Sequence, residues 1–90
     1  MSQLKRSRDT LQAIPGIGPD MARHLREIGF NDVSALRDQD AERMYARLRA
    51  RYGGRMDRCV LYAFRCAVYY ASNEKRDPEL LKWWNWKDRT

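Results

Sequence analysis

The stretch from Leu11 to Leu25, LQAIPGIGPDMARHL, constrains the chain most, because two glycines and two prolines interrupt an otherwise helical apolar pattern. Leu11 and Ile14 lie three apart, and Ala22, Leu25 and Ile28 repeat at the same interval, so each flank presents one apolar face at helical spacing. Pro15 disfavours helical geometry at Ile14 and ends a first helix. Gly16 and Gly18 permit backbone angles that other residues resist, and Pro19 suits the first position of a second helix. Two helices joined by a tight turn are expected. Such a turn has a chemistry of its own, because glycine lets the backbone approach an anion closely. The unpaired N–H groups at the start of the next helix, with its dipole, favour a phosphate there. A helical corner that serves only packing shows the same pattern.

The order of apolar residues and spaced glycines in this stretch resembles the helix-hairpin-helix motif. The resemblance implies that the backbone of Gly16, Ile17 and Gly18 meets nucleic-acid phosphates with Arg23 in support, and that the carbonyls of Ile14 and Gly16 offer a place for a monovalent cation. Asp20 argues the other way. In the first turn of the second helix a carboxylate suits the dipole but repels an incoming phosphate, and nucleic-acid-binding members of that group often carry lysine or a neutral residue there. His24, the single histidine, reads as a surface or edge residue rather than a catalyst.

Ninety residues, 43% of them hydrophobic and 33% charged, suit one domain with one modest core. Eighteen Lys and Arg against 12 Asp and Glu leave a net charge of +6, which favours polyanionic partners through counterion release. No apolar run approaches the roughly 20 residues that span a bilayer, and the charged start is followed by no apolar block of the signal-peptide kind. A cytoplasmic protein without a membrane partner is expected. If Cys59 and Cys66 share a helix, seven residues of rise put their Cα atoms about 10 Å apart, beyond the approximately 7 Å that a disulfide allows. Both are expected reduced and buried in the core. With one distant histidine, a zinc site would need carboxylates to complete it, and no metal or other cofactor is expected.

Taken in order, residues 1–6 read as a flexible basic lead-in and 7–90 as the single domain, with Ser7 or Asp9 capping a helix that runs to about Ile14. The second helix runs from Pro19 to about Ile28, with Gly29 as its left-handed C-terminal cap, and Asn31 or Asp32 caps a short third through Val33, Ala35 and Leu36. Asp40 caps a fourth, whose apolar stripe is Ala41, Met44, Tyr45 and Leu48 and which closes at Tyr52 and Gly53. From Asp57, RCVLYAFRCAVYYAS carries only Arg58 and Arg65 as charges, so it is the expected central helix. Asp77 and Pro78 start a last short helix, and Trp84, with Leu80 or Leu81, is placed against the central one. No strand-like alternation occurs. The expected fold is an all-α, five- or six-helix bundle.

A helix ending near Tyr52, the pair Gly53 and Gly54, and a helix from about Asp57 repeat the hairpin order about 37 residues downstream. This second hairpin is degenerate, since RYGGRMD lacks the spaced glycines of PGIG. Arg47, Arg49, Arg51, Arg55 and Arg58 surround it, and arginine recognises phosphate through a planar donor fork; a solvated helix face is the alternative. The tail KWWNWK could stack on unpaired bases or cover the core. Asp38 and Asp40 fall where helix-hairpin-helix glycosylases keep an aspartate. Base excision, however, needs a pocket built between two helical domains, and this chain has room for one. No Ser-His-Asp or Cys-His arrangement, phosphate-binding P-loop or metal cluster is present in the sequence, and no enzymatic activity is expected.

IPGIG at Ile14 to Gly18, DRCVLYAFRCAVYYAS at Asp57 to Ser72 and DPELLKWWNWKD at Asp77 to Asp88 together resemble a small bacterial family named after a pathogenicity locus and also labelled mitomycin resistance protein. That resemblance carries over no functional residue beyond the hairpin. The expected function is non-enzymatic, largely sequence-independent binding of DNA, or alternatively RNA. Gly16, Ile17, Gly18 and Arg23 form one phosphate contact, and Arg51, Gly53, Gly54 and Arg55 a second. The rival is a protein-interaction module that uses the hairpins or the Trp-rich end on a partner or a second copy.

Overall fold

The computed structural model describes residues 11–87. Within them lie three α-helices, α1 (Pro19–Glu27), α2 (Ala41–Arg51) and α3 (Arg58–Ser72), and four single 3-10 turns, Leu11–Ala13, Val33–Leu36, Pro78–Leu81 and Trp83–Trp86. The molecule is all-α, with no strand among the described residues. Among the described residues the expected helices reduce to three α-helices, because the Val33–Leu36, Pro78–Leu81 and Trp83–Trp86 segments are only 4 residues long, too short to repay helix nucleation between their breakers. The expected caps at Ser7 or Asp9 and the lead-in at 1–6 lie outside the described residues.

Side-chain caps set most of the starts. The Asp40 carboxylate accepts from the N–H groups of Glu42 and Arg43 at 2.9 and 3.3 Å, Asp57 from Cys59 at 3.0 Å, Asp32 from Ala35 at 3.0 Å and Asp77 from Glu79 at 3.0 Å. Two α-helices end on the same glycine motif. After α1, Gly29 at φ +100° lets its own N–H reach Arg26 O at 3.0 Å and that of Phe30 reach Leu25 O at 2.9 Å. After α2, Gly53 at φ +69° does the same, with Gly53 N–H donating to Ala50 O at 3.4 Å and Gly54 N–H to Arg49 O at 2.7 Å. The glycine pair therefore has a structural cause in helix termination.

The core is one apolar cluster around α3, which contributes Val60, Leu61, Ala63, Phe64, Ala67 and Ala71. Leu11, Ile14, Ile17, Ala22, Leu25 and Ile28 reach it from the N-terminal side, and Met44, Tyr45 and Leu48 from α2. Tyr45 brings a hydroxyl into this environment and satisfies it by donating to Met56 O at 2.7 Å. Two expectations are corrected here. Cys66 is buried, but Cys59 is exposed, on the outer side of the first turn of α3, whose Val60 and Leu61 face the core; both thiols are free. Trp84 is not enclosed against the central helix as expected: it is 50% exposed, with its ring edge to face against Trp83. Trp86 takes that role, with its ring 5.6 Å from that of Tyr69, its indole N–H donating to Leu80 O at 2.7 Å and its carbonyl accepting from Arg65 Nη1 at 2.7 Å. A 3-10 turn brings residues three apart onto one side, so Trp83 and Trp86 turn inward and Trp84 turns out.

Candidate functional site

The Pro15–Gly18 turn is held by the N–H of Ile17 donating to Ile14 O at 3.0 Å, with Gly16 at φ +85° and the Ile17 side chain buried as its anchor. Gly18 departs from expectation. It sits at φ −91°, ψ −170°, an extended conformation open to any residue, and a Cβ there would meet nothing within 4 Å. Its position, at the N-cap of α1 with no side-chain hydrogen bond, is what matters. Pro19 contributes no donor, and Ala22 N–H closes the first helical bond to Gly18 O at 2.9 Å. The N–H groups of Asp20 and Met21 between them have no capping side chain, unlike the starts of α2 and α3, where an aspartate caps.

Arg23 does not project alone. Its Nη1 donates to Asp20 Oδ1 at 3.0 Å, with Glu27 Oε2 3.8 Å from its Nε, so the charge of Asp20 is directed toward a cation of its own helix. Both groups are mostly exposed, so the pair is weak and open to exchange with another anion.

The structure brings the second glycine turn to the side of α1 through a contact that the sequence pattern did not reveal. Tyr52 donates its hydroxyl to the Glu27 carboxylate at 2.9 Å, and Nδ1 of His24 lies 3.2 Å from the same oxygen, while the His24 and Tyr52 rings meet edge to face at 5.5 Å. Hydrogen bonds from His24 and then Tyr52 hold the Glu27 carboxyl below its ordinary pKa, with the Arg51 charge adding to the effect. The same bond to Glu27 raises the Tyr52 phenol. His24 is thus half-buried in a clasp between the helices. Arg23 and Arg51 both act on Glu27, so the two expected phosphate contacts share one side of the molecule.

The second turn differs from the first in two respects. One residue, Ile17, separates the left-handed Gly16 from the N-cap Gly18, whereas two, Arg55 and Met56, separate the left-handed Gly54 from the N-cap Asp57. The start of α3 is also already occupied by the Asp57 carboxylate. Arg49 is spent on the turn itself, gripping Gly54 O with Nη2 at 2.8 Å and Nε at 3.3 Å. Arg47, Arg51 and Arg55 are exposed and form no ion pair among the described residues.

Asp38 and Asp40 lie elsewhere, on a shallow groove of about 830 Å³ shared with Glu42, Arg65, Tyr69 and Trp86. Each aspartate has a structural task. Asp38, left-handed at φ +57°, donates its N–H to Ser72 Oγ at 2.8 Å, and Asp40 caps α2. Arg65 pairs with Glu42 across the same groove. No cluster of three or more His, Cys, Asp or Glu that could hold a metal occurs among the described residues, and none of their helices is long and apolar enough to cross a membrane.

Residues 5–90 match the family described as Pathogenicity locus. The chain belongs to this family. It is also 32% identical over 76 residues to the mitomycin resistance protein McrB of Streptomyces lavendulae, an alignment covering 84% of this chain and 69% of that protein. No solved structure matches the chain. The family match takes in both glycine turns, the α1 start, the Tyr52–Glu27 clasp and the Trp-rich turn, so all the features described above belong to the shared segment.

Proposed function

We propose that this family member is a non-enzymatic helix-hairpin-helix module that binds DNA, or alternatively RNA, through phosphate contacts with little regard to sequence. The reading treats Pro15–Gly18 as the hairpin and Tyr52–Asp57 as its degenerate counterpart. One observation carries it: α1 is the α-helix whose first-turn amides lack a capping side chain, and it follows a left-handed Gly16 turn that opens its backbone. The Tyr52–Glu27 clasp adds Arg51 to the side that holds Arg23. At the second turn the Asp57 carboxylate holds the helix start, so Arg51 and Arg55 would act there by side-chain charge, with Gly53 and Gly54 shaping the loop. A monovalent cation would have to use the Gly16 carbonyl and the remaining lone pair of Ile14 O, which already accepts from Ile17. Two free thiols are compatible with a reducing, cytoplasmic setting.

Titration of a labelled duplex at two salt concentrations tests the reading. Gly18→Val, which the open space at Gly18 accommodates, is expected to remove binding at the first turn by blocking backbone approach while circular dichroism stays unchanged. Asp20→Lys is expected to tighten binding and to steepen the salt slope by about one ion. Arg51→Glu with Arg55→Glu should weaken it. Absence of binding at low salt, or indifference to all of these changes, defeats the proposal. It would favour the second reading, a protein-interaction module, which the exposure of Trp84 and Tyr52 supports and whose apolar contact would be nearly insensitive to salt.

A further inference from the structure

The Trp83–Trp86 turn is anchored on several sides yet leaves one large ring in solvent. Trp86 is tied to Leu80 and Arg65, and Asn85 donates its side-chain N–H to Glu79 O at 2.7 Å and its backbone N–H to Lys82 O at 3.0 Å. Trp83 lies against the glycine turn: a Cβ built on Gly16 would stand 3.4 Å from its Cδ1. Trp84 meets Trp83 edge to face at 5.8 Å and is half exposed. An indole held outward on a fixed turn loses little side-chain entropy when a flat partner settles on it. Trp83 links this ring to the Gly16 turn, two residues before the N-cap of α1.

We propose, resting on the nucleic-acid reading above, that the preferred ligand is a duplex with an unpaired nucleotide at its end, and that Trp84 stacks on that base while the adjoining backbone phosphate sits at the Gly16–Met21 turn. An intact duplex keeps its base faces within the stack and offers Trp84 nothing, whereas an unpaired base presents a π-face of any sequence. The charge balance fits. The net charge is +6, and Lys87 flanks the aromatic turn, while Lys82 on its other side is paired with Glu79 at 3.1 Å.

The test uses the full chain and fluorescence anisotropy at low salt, with one hairpin duplex prepared blunt and with a short single-stranded extension on either strand. A parallel set carries 2-aminopurine at the first unpaired position. The extended form is expected to bind about tenfold tighter than the blunt one, and Trp84→Ala to remove that gain while leaving the blunt affinity and thermal melt unchanged. Trp84→Phe should restore most of the gain, and the 2-aminopurine signal should be quenched by the parent and by Trp84→Phe but not by Trp84→Ala. If blunt and extended forms bind equally, or if Trp84→Ala weakens both alike, stacking is overturned while the phosphate reading stands. If neither form binds, both readings fall. If Trp84→Ala changes only the sedimentation of the protein, the ring is a protein contact and stacking is overturned.

Discussion

Cys59 and Cys66 lie two helical turns apart on α3, yet only Cys66 is enclosed, with its thiol directed at Leu80 O 3.6 Å away. Burial pushes the Cys66 thiol from the ordinary 9.0 up to about 11. The native state therefore holds a proton that the unfolded chain surrenders first. The associated stability is complete below pH 9.0 and is lost as the pH rises toward about 11. Urea melts of the parent should lose stability across that alkaline window more steeply than those of Cys66→Ala, which lacks the group but keeps the other lysines, tyrosines and Cys59; equal slopes would refute this. At neutral pH a bulky thiol reagent should modify one cysteine of the native protein, Cys59, and reach the second only on unfolding. Its rate at Cys59 should be modest, because slight desolvation by the surrounding protein and then the neighbouring Asp57 raise that thiol too.

At the scale of the element, the two glycines of the first turn part company. Gly16 is left-handed, so Gly16→Ala is expected to destabilise by roughly 1–2 kcal/mol, with added crowding against Trp83. Gly18→Ala should stay within about 0.5 kcal/mol of the parent, since the N-cap preference for glycine over alanine is offset by the lost freedom of the unfolded chain. Denaturant midpoints for the pair give the check. Spacing alone could not separate them, because a left-handed glycine and an extended one look alike in sequence. Caps and breakers, by contrast, were legible: Asp40 and Asp77 cap as expected, Asp32 rather than Asn31 caps the Val33–Leu36 turn, and α1, α2 and α3 begin and end within about two residues of the expected positions. What stayed hidden was long-range. The Tyr52–Glu27 bond joins residues 25 apart, and the Arg49 grip on Gly54 O uses a side chain that looked available for phosphate. The sequence also pointed to Trp84 inward rather than Trp86, because it implied a last short helix where the segment forms two 3-10 turns.

For the whole molecule, α3 packs against α2, the Val33–Leu36 turn and both C-terminal turns. Trp86 closes the C-terminal side, so Trp86→Ala should destabilise by roughly 2–4 kcal/mol, whereas Trp84→Ala should change the thermal midpoint little. A reversed order would mean that the turn sits the other way round. The same centre has a kinetic consequence. The α2–α3 pairing joins neighbours across a short loop and carries a small closure penalty, while the Trp83–Trp86 turn returns to α3 only after the chain has reversed. In hydrogen exchange, the amides of Val60 to Ala71 should be the last to open, in step with global unfolding, and those of Asn85 and Trp86 should exchange earlier through a sub-global detachment. The aromatic turn would then breathe off a helical pair that remains folded, and each time it lifts the already exposed Gly16 turn would lose its Trp83 neighbour.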